Sequence, residues 1–443
     1  MQFNSIDFLF GFLPLFLTVY VTVRTELRRT VMILGSLAFC CLASNGNYWW
    51  IVPLVLFTVV SYFVQRIADA DRRKTGTVIS LCFMVTVLVL FKVIAGGRYL
   101  PAGMSFYMFQ IAAYLLDVCR ARIPAERSFF AYMEQMVMFP KLLSGPLMDP
   151  RDLQAQSHGG HQTFRGAYDG LRIFVLGLAI KVIWANRLGG LWSEPQMMGY
   201  ANISTPAAWM AIVGYTMQLY LDFYGYSLMA IGLGKLLGFE LPANFRDPYA
   251  AKTVGEFYRR WHITLGAWFR EYVYIPLGGN RRGHLRTCLN IAVVWLLTGL
   301  WHGIGGNYLL WAGFICLLII NERLWMGKLL NKSHVICHIY VVFVILMSWI
   351  PFAVGDWDQM LIFIGRLFGT SGAAMNPRDY LDWIRMYAGL LVTGVFVMTP
   401  IPGKLWKRFK DTVLADLLVL ALFWGAVYYI STAAQDPFMY FQY

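Results

Sequence analysis

Two histidines stand beside tryptophans and arginines in an otherwise oily sequence. The first closes Glu256-Phe257-Tyr258-Arg259-Arg260-Trp261-His262; the second lies forty positions on (302 − 262), in Trp301-His302-Gly303. Imidazole is the side chain best suited to take a proton from a hydroxyl near neutral pH. His302 ends an apolar run that starts near Asn290, and Gly303, Gly305 and Gly306 leave backbone open beyond it. On residue type alone, His302 also reads as a histidine satisfied by a carbonyl at a helix end, and His262 as an interfacial residue reaching toward head groups. Arg259 and Arg260 suit the phosphates of a coenzyme or carrier arm, or plain membrane-surface charge, and their aromatic neighbours Phe257, Tyr258 and Trp261 favour a binding site. Asp222 sits in the apolar run Gln218-Leu219-Tyr220-Leu221-Asp222-Phe223-Tyr224-Gly225-Tyr226-Ser227. A carboxylate there needs a histidine, arginine or tyrosine partner, either to orient a catalytic group or to brace two helices.

The elements that position these groups are membrane helices. Of the 443 residues 58% are hydrophobic and 14% charged, too little charge to coat a soluble globule of this size. Apolar runs recur throughout, among them Phe8 to Val23, Trp49 to Val64, Thr77 to Ala95, Val335 to Val354, Tyr387 to Met398 and Val413 to Ile430. No soluble domain can be cut out, so the expectation is one integral membrane domain over 1–443, all-α and polytopic. It has about 11–12 transmembrane helices, plus re-entrant and interfacial helices around a central cavity or tunnel. Phe8 to Tyr20 is not preceded by Lys or Arg and reads as a first membrane helix rather than a signal peptide. Thr30 to Ser44 and Tyr308 to Ile320 look short for a crossing of ~17–25 residues.

The net charge of +13 follows topology rather than nucleic acid binding. Thirty of the 37 Lys and Arg fall in segments 24–29, 66–74, 119–127, 141–172, 235–286, 323–332 and 404–410. By the positive-inside rule these face the cytoplasm and both termini lie outside. That places His262 on the cytoplasmic side and His302 near the outer surface. Ser128 to Pro146, apolar with Lys141 inside it, reads as a re-entrant hairpin. Val254 to Ile275 reads as one amphipathic interfacial helix, with Phe257, Trp261, Leu265, Trp268 and Tyr272 on its apolar face and Glu256, Arg259, Arg260, Arg270 and Glu271 opposite. The seven cysteines lack CxxC spacing, and His158, His161, His284, His334 and His338 lack carboxylate spacing, so no metal site is expected.

Taken in order, four blocks resemble the membrane-bound O-acyltransferase family. They are Asn244-Phe245-Arg246-Asp247-Pro248-Tyr249, Glu256 to Leu265, Tyr274-Ile275-Pro276-Leu277-Gly278-Gly279-Asn280-Arg281-Arg282-Gly283, and Gly299-Leu300-Trp301-His302-Gly303. Gly103-Met104-Ser105-Phe106-Tyr107, Phe139-Pro140-Lys141-Leu142-Leu143-Ser144-Gly145-Pro146 and the closing Pro437 to Tyr443 also fit. The resemblance is to the bacterial branch that modifies alginate and teichoic acids. Where alginate-type members read Asp-Phe-Ser-Gly-Tyr-Ser-Asp, this chain has Tyr224 and Leu228; Leu228 is more like the teichoic-acid type, Pro276 to Gly283 more like the alginate type.

What the resemblance implies is a multi-pass protein of the bacterial cytoplasmic membrane that moves an acyl group, acetyl above all, from a cytoplasmic thioester to hydroxyls of an extracytoplasmic polysaccharide. The donor, acetyl-CoA or acyl carrier protein, is a substrate, with no bound cofactor. His302 is the implied catalytic residue and His262 the second one; Arg259, Arg260, Trp261, Trp301 and Asp222 are the expected binding residues. Implied partners are the donor on the cytoplasmic side, and the polysaccharide or a secreted acyltransferase outside. Teichoic-acid-type D-alanyl transfer, a proton-coupled transporter and a scaffold that docks an acyltransferase are the alternatives.

Overall fold

The computed structural model describes residues 1–44, 46–94, 100–156, 162–330 and 333–432, and all regular structure among them is helical. His158, His161 and the closing Pro437 to Tyr443 lie outside the described residues. Among the described residues seven helices are long and apolar enough to cross a bilayer: Tyr48–Gln65, Ala70–Val93, Gly283–His302, Gly306–Met326, His334–Ala353, Asp379–Met398 and Val413–Thr432. Twenty residues at 1.5 Å each span the ~30 Å hydrocarbon layer. In Ala70–Val93, Asp379–Met398 and Val413–Thr432 only 17% of the apolar window is buried by protein, and such an outward apolar face requires lipid as solvent. The protein is a multi-pass membrane protein.

Shorter apolar helices add Asp7–Thr22 and Met104–Cys119. Thr205–Leu236 runs for 32 residues but carries buried Thr216, Gln218, Asp222 and Ser227, since protein rather than lipid covers it. The apparent shortness of the run at Tyr308 was a matter of its ends: Gly306–Asn321 continues through a π-helical turn at Glu322–Met326.

The chain gathers into two compact units whose segments interleave along the sequence. The first comprises 1–178, 226–243 and 430–432, the second 179–225 and 244–429. In the first, Phe3, Phe8, Phe39 and Phe139 form a ring cluster with centroids 5.1–6.4 Å apart. The Met104–Cys119 helix is almost wholly buried, and its Gln110 amide both donates to the Met148 carbonyl and accepts from the Met148 N–H. Ser128 to Pro146 folds as two short helices, Phe129–Val137 and Phe139–Leu142, broken at Met138 (φ −47°, ψ 114°). Everything from Ala131 to Met148 is buried, the condition under which irregular backbone is tolerated away from water.

In the second unit Gly283–His302 and Gly306–Asn321 form a tight hairpin. A Cβ at Gly299 would come 2.8 Å from that of Ala312. Asn307 pins the turn to the next helix by donating to the Pro351 carbonyl at 3.1 Å.

A tight helix crossing in the first unit lies between Gly170 and Gly232. A Cβ on Gly232 would lie 2.5 Å from the Phe174 nitrogen and 2.6 Å from the Gly170 carbonyl oxygen, backbone that cannot step aside. Gly232→Val is therefore expected to destabilise by about 1–3 kcal/mol or more. Gly389→Ala, where nothing lies within 4 Å, should be neutral or stabilising by up to about 1 kcal/mol. Thermal unfolding of both variants in detergent checks this; equal melting temperatures would remove the packing claim.

Candidate active site

The segment expected as one helix over Val254 to Ile275 is instead broken at the histidine. Val254–Arg260 ends in extended Trp261 (φ −102°, ψ 129°), and His262 takes the left-handed region at φ 45°, ψ 53°. Ile263–Phe269 follows, then a π-helical stretch Arg270–Tyr274. A non-glycine residue at such a φ is strained and needs surrounding structure to hold it. The holding group is Asn244, eighteen residues upstream. Its Oδ1 accepts from Thr264 Oγ1 at 2.9 Å and Thr264 N–H at 3.4 Å, and it lies 3.0 Å from His262 Nδ1. Two backbone rungs flank it, Ile263 N–H to the Asn244 carbonyl and Arg246 N–H to the Arg260 carbonyl. The periodicity of large residues suggested a continuous helix because these long-range partners leave no periodic trace.

The first short helix is anchored as firmly. Its leading amides, Val254 and Gly255, donate to the Glu322 carboxylate, and the Glu256 N–H donates to Thr253 Oγ1. The unsatisfied donors of a helix start are thereby met, and with them the helix direction.

The Asn244 contacts also set the imidazole tautomer. A backbone N–H can only donate, so the Asn244 atom facing Thr264 is the oxygen, and His262 Nδ1 must then donate to it. Nε2 is left as the basic nitrogen. Burial alone pushes the His262 pKa down to about 3, so the ring is neutral at neutral pH.

His262 and His302 line the same cavity of ≈ 230 Å³, together with Trp261, Tyr258, Trp311 and Trp349. The Trp301 ring lies 6.3 Å from His262 and 4.5 Å from His302. The two imidazoles are thus at most two ring-to-ring steps apart, and the opposite-surface placement expected from charge does not hold across a layer of ~30 Å. The broken helix turns His262 inward. His302, half-buried at the last residue of its helix, packs edge-on against Trp311 and Phe352 at 5.0 Å each.

Of the other expected residues, Arg260 is bound to Glu256 at 2.6 Å, Arg259 is exposed, and neither lines the cavity. The cation at the wall is Arg270, on the exposed side together with Gly266, a position that sequence reasoning assigned only to a polar face. Asp222 pairs with Lys181 at 2.7 Å, both almost fully buried. Its helix reaches the cavity through Leu219, three residues away. Lys181 was missed, although a lysine in an apolar stretch was its signal. Among the described residues no group of three or more His, Cys, Asp or Glu is placed to hold a metal ion.

An all-helical, multi-pass membrane protein with two histidines on one apolar cavity defines the class: a polytopic membrane protein with imidazoles placed where acid–base chemistry could be done. Residues 118–351 match the membrane-bound O-acyltransferase (MBOAT) family. The chain is 34% identical to the "Probable alginate O-acetylase AlgI" of Pseudomonas fluorescens, over 84% of this chain and 75% of that protein. It is 28% identical to the "Peptidoglycan O-acetyltransferase" of Helicobacter pylori (84% and 81% covered) and 25% to the "Teichoic acid D-alanyltransferase" of Streptococcus thermophilus (71% and 81%). The chain belongs to the membrane-bound O-acyltransferase family and is an O-acyltransferase.

A consequence for stability follows from His262. The free imidazole value is 6.5 and the folded one about 3, so between these the unfolded chain holds a proton that the folded chain does not. The contribution of His262 is full above pH 6.5 and is lost as pH falls toward 3. His262→Gln should therefore lose less thermal stability than the parent between about pH 7 and about pH 4.5. Identical losses in the two proteins would assign the acid sensitivity elsewhere.

Proposed function

We propose that the protein transfers an acetyl group from a cytoplasmic thioester, acetyl-CoA or an acyl carrier protein, to hydroxyls of an extracytoplasmic cell-envelope or secreted polysaccharide in the bacterial cytoplasmic membrane. The observation that carries this reading is the pair of histidines on one apolar cavity. A cavity of ≈ 230 Å³ is below the ~300–1,000 Å³ of drug-sized sites. It suits a short acyl group on a thiol arm better than a whole nucleotide.

In the reaction, the acceptor oxygen attacks the thioester carbonyl, a C–O bond forms and the C–S bond breaks. His302 takes the hydroxyl proton, which then passes to the departing thiolate. His262, neutral with Nε2 basic, is a hydrogen-bond acceptor that orients the hydroxyl or thiol rather than a group that carries charge. Arg270, with Arg259 and Arg260 on the same segment, serves the anionic part of the donor. A thioester is already activated, so alignment and the handling of one proton are the main demands. A secreted acyltransferase completing the transfer outside fits this direction and is part of the proposal.

The D-alanyl relative and Leu228 support a second reading, D-alanyl transfer, and the mass of the ester formed separates the two. The experiment measures polysaccharide esters in cells carrying His302→Ala at normal protein level. Loss of about 10²-fold or more is expected, and full retention sinks the assignment. Arg270→Ala should raise KM for the thioester with a smaller change in kcat.

A further inference from the structure

The first unit holds a second, much smaller enclosure that the reaction above does not use. The Met104–Cys119 helix and the Phe139 to Leu147 stretch meet around a cavity of ≈ 10 Å³, walled chiefly by Phe106, Met136, Leu142 and Leu147. That is room for one water or one monatomic ion, and for no polyatomic group. Two other wall residues, Lys141 and Tyr107, are 6% and 3% exposed. Neither Lys141 Nζ nor the Tyr107 hydroxyl has a hydrogen-bond partner among the described residues. Gln110, also at the wall, commits its amide to Met148.

The neighbouring carboxylate on the chain is taken: Glu134 pairs with Arg29 at 3.2 Å. Burial, with no acid acting on it, pushes the Lys141 pKa down to about 7. At neutral pH the site therefore alternates between an unpaired buried cation and a bare amine, and both lack a partner.

Both polar tips are donors, one phenolic O–H and up to three ammonium N–H. A water bound there could donate to the Tyr107 oxygen or to a deprotonated Lys141, but it brings no charge to set against the buried ammonium. A monovalent anion does, and it needs donors and a positive charge only. The space excludes phosphate, sulfate and carboxylates.

We propose that this cavity is a binding site for a single halide-sized anion, chloride in the cell, held by Lys141 Nζ and the Tyr107 hydroxyl. The anion keeps Lys141 charged and joins the Met104–Cys119 helix to the broken Phe129 to Leu142 segment, so it acts on the assembly of the first unit and not on acyl transfer.

The test uses the purified full chain in detergent at constant ionic strength, with sodium gluconate replaced stepwise by sodium chloride or sodium bromide. A saturable rise in Tm of roughly 2–5 °C is expected with either halide, and none in Lys141→Met. Crystals of the unmodified protein soaked in bromide should show an anomalous peak at Lys141 Nζ; this second measurement stands even where Lys141→Met does not fold. A Tm indifferent to halide, or bromide crystals without that peak, overturns the site and leaves a water or a neutral amine in its place.

Discussion

One side-chain oxygen, Asn244 Oδ1, holds the arrangement on which the candidate site depends. It gathers the Thr264 hydroxyl and amide and His262 Nδ1, and so stabilises a left-handed, non-glycine residue at φ 45°. Such a residue costs about 1–3 kcal/mol. Each hydrogen bond returns about 0.5–1.5 kcal/mol net, so the side-chain contacts and the two flanking backbone rungs are together enough to offset it. Without that break the segment would run on as a helix, and His262 would remain on its surface. With it, His262 faces the cavity in one tautomer, Nε2 basic and the ring uncharged.

The remaining polar groups near the cavity serve the same geometry indirectly. Glu322 gives its carboxylate to the first amides of the Val254–Arg260 helix; it sits just past the Gly306–Asn321 helix that carries Trp311. The start of the His262 segment is thereby tied to the hairpin that ends in His302. Lys181 and Asp222 neutralise each other, and removing one partner of such a buried pair leaves an uncompensated charge costing about 3–5 kcal/mol. The aromatic walls add shape: Trp301 neighbours both imidazoles, while Trp311 and Phe352 meet His302 edge-on. A low-dielectric enclosure of this kind strengthens any hydrogen bond made inside it.

Much of the fold was legible in the chain because lipid is an undemanding reader. A helix exposed to it must be apolar over about 20 residues, and the runs at Thr77, Val335 and Val413 announce themselves. The two histidines were legible because an ionisable group is costly in that setting. What could not be read depends on partners distant in sequence. The break at His262 rests on Asn244, the cap of its helix on Glu322, 68 residues away, and the charge of Asp222 on Lys181. Arg259 and Arg260 drew attention as an adjacent pair, yet it is Arg270, one of several charges on a polar face, that reaches the cavity wall.

Composition and charge determined by themselves that this is a polytopic membrane protein, the ordered motifs pointed through their resemblance to an O-acyltransferase, and residue type singled out His262 and His302 as candidates for its chemistry. Tertiary structure alone decided that the two share one cavity instead of facing opposite surfaces, which nitrogen of His262 is basic, and which cation stands at the wall. The physical reason is range. Burial in lipid acts on each residue locally and leaves a pattern along the chain, whereas a hydrogen bond to Asn244 or an ion pair with Lys181 exists only once distant segments have met.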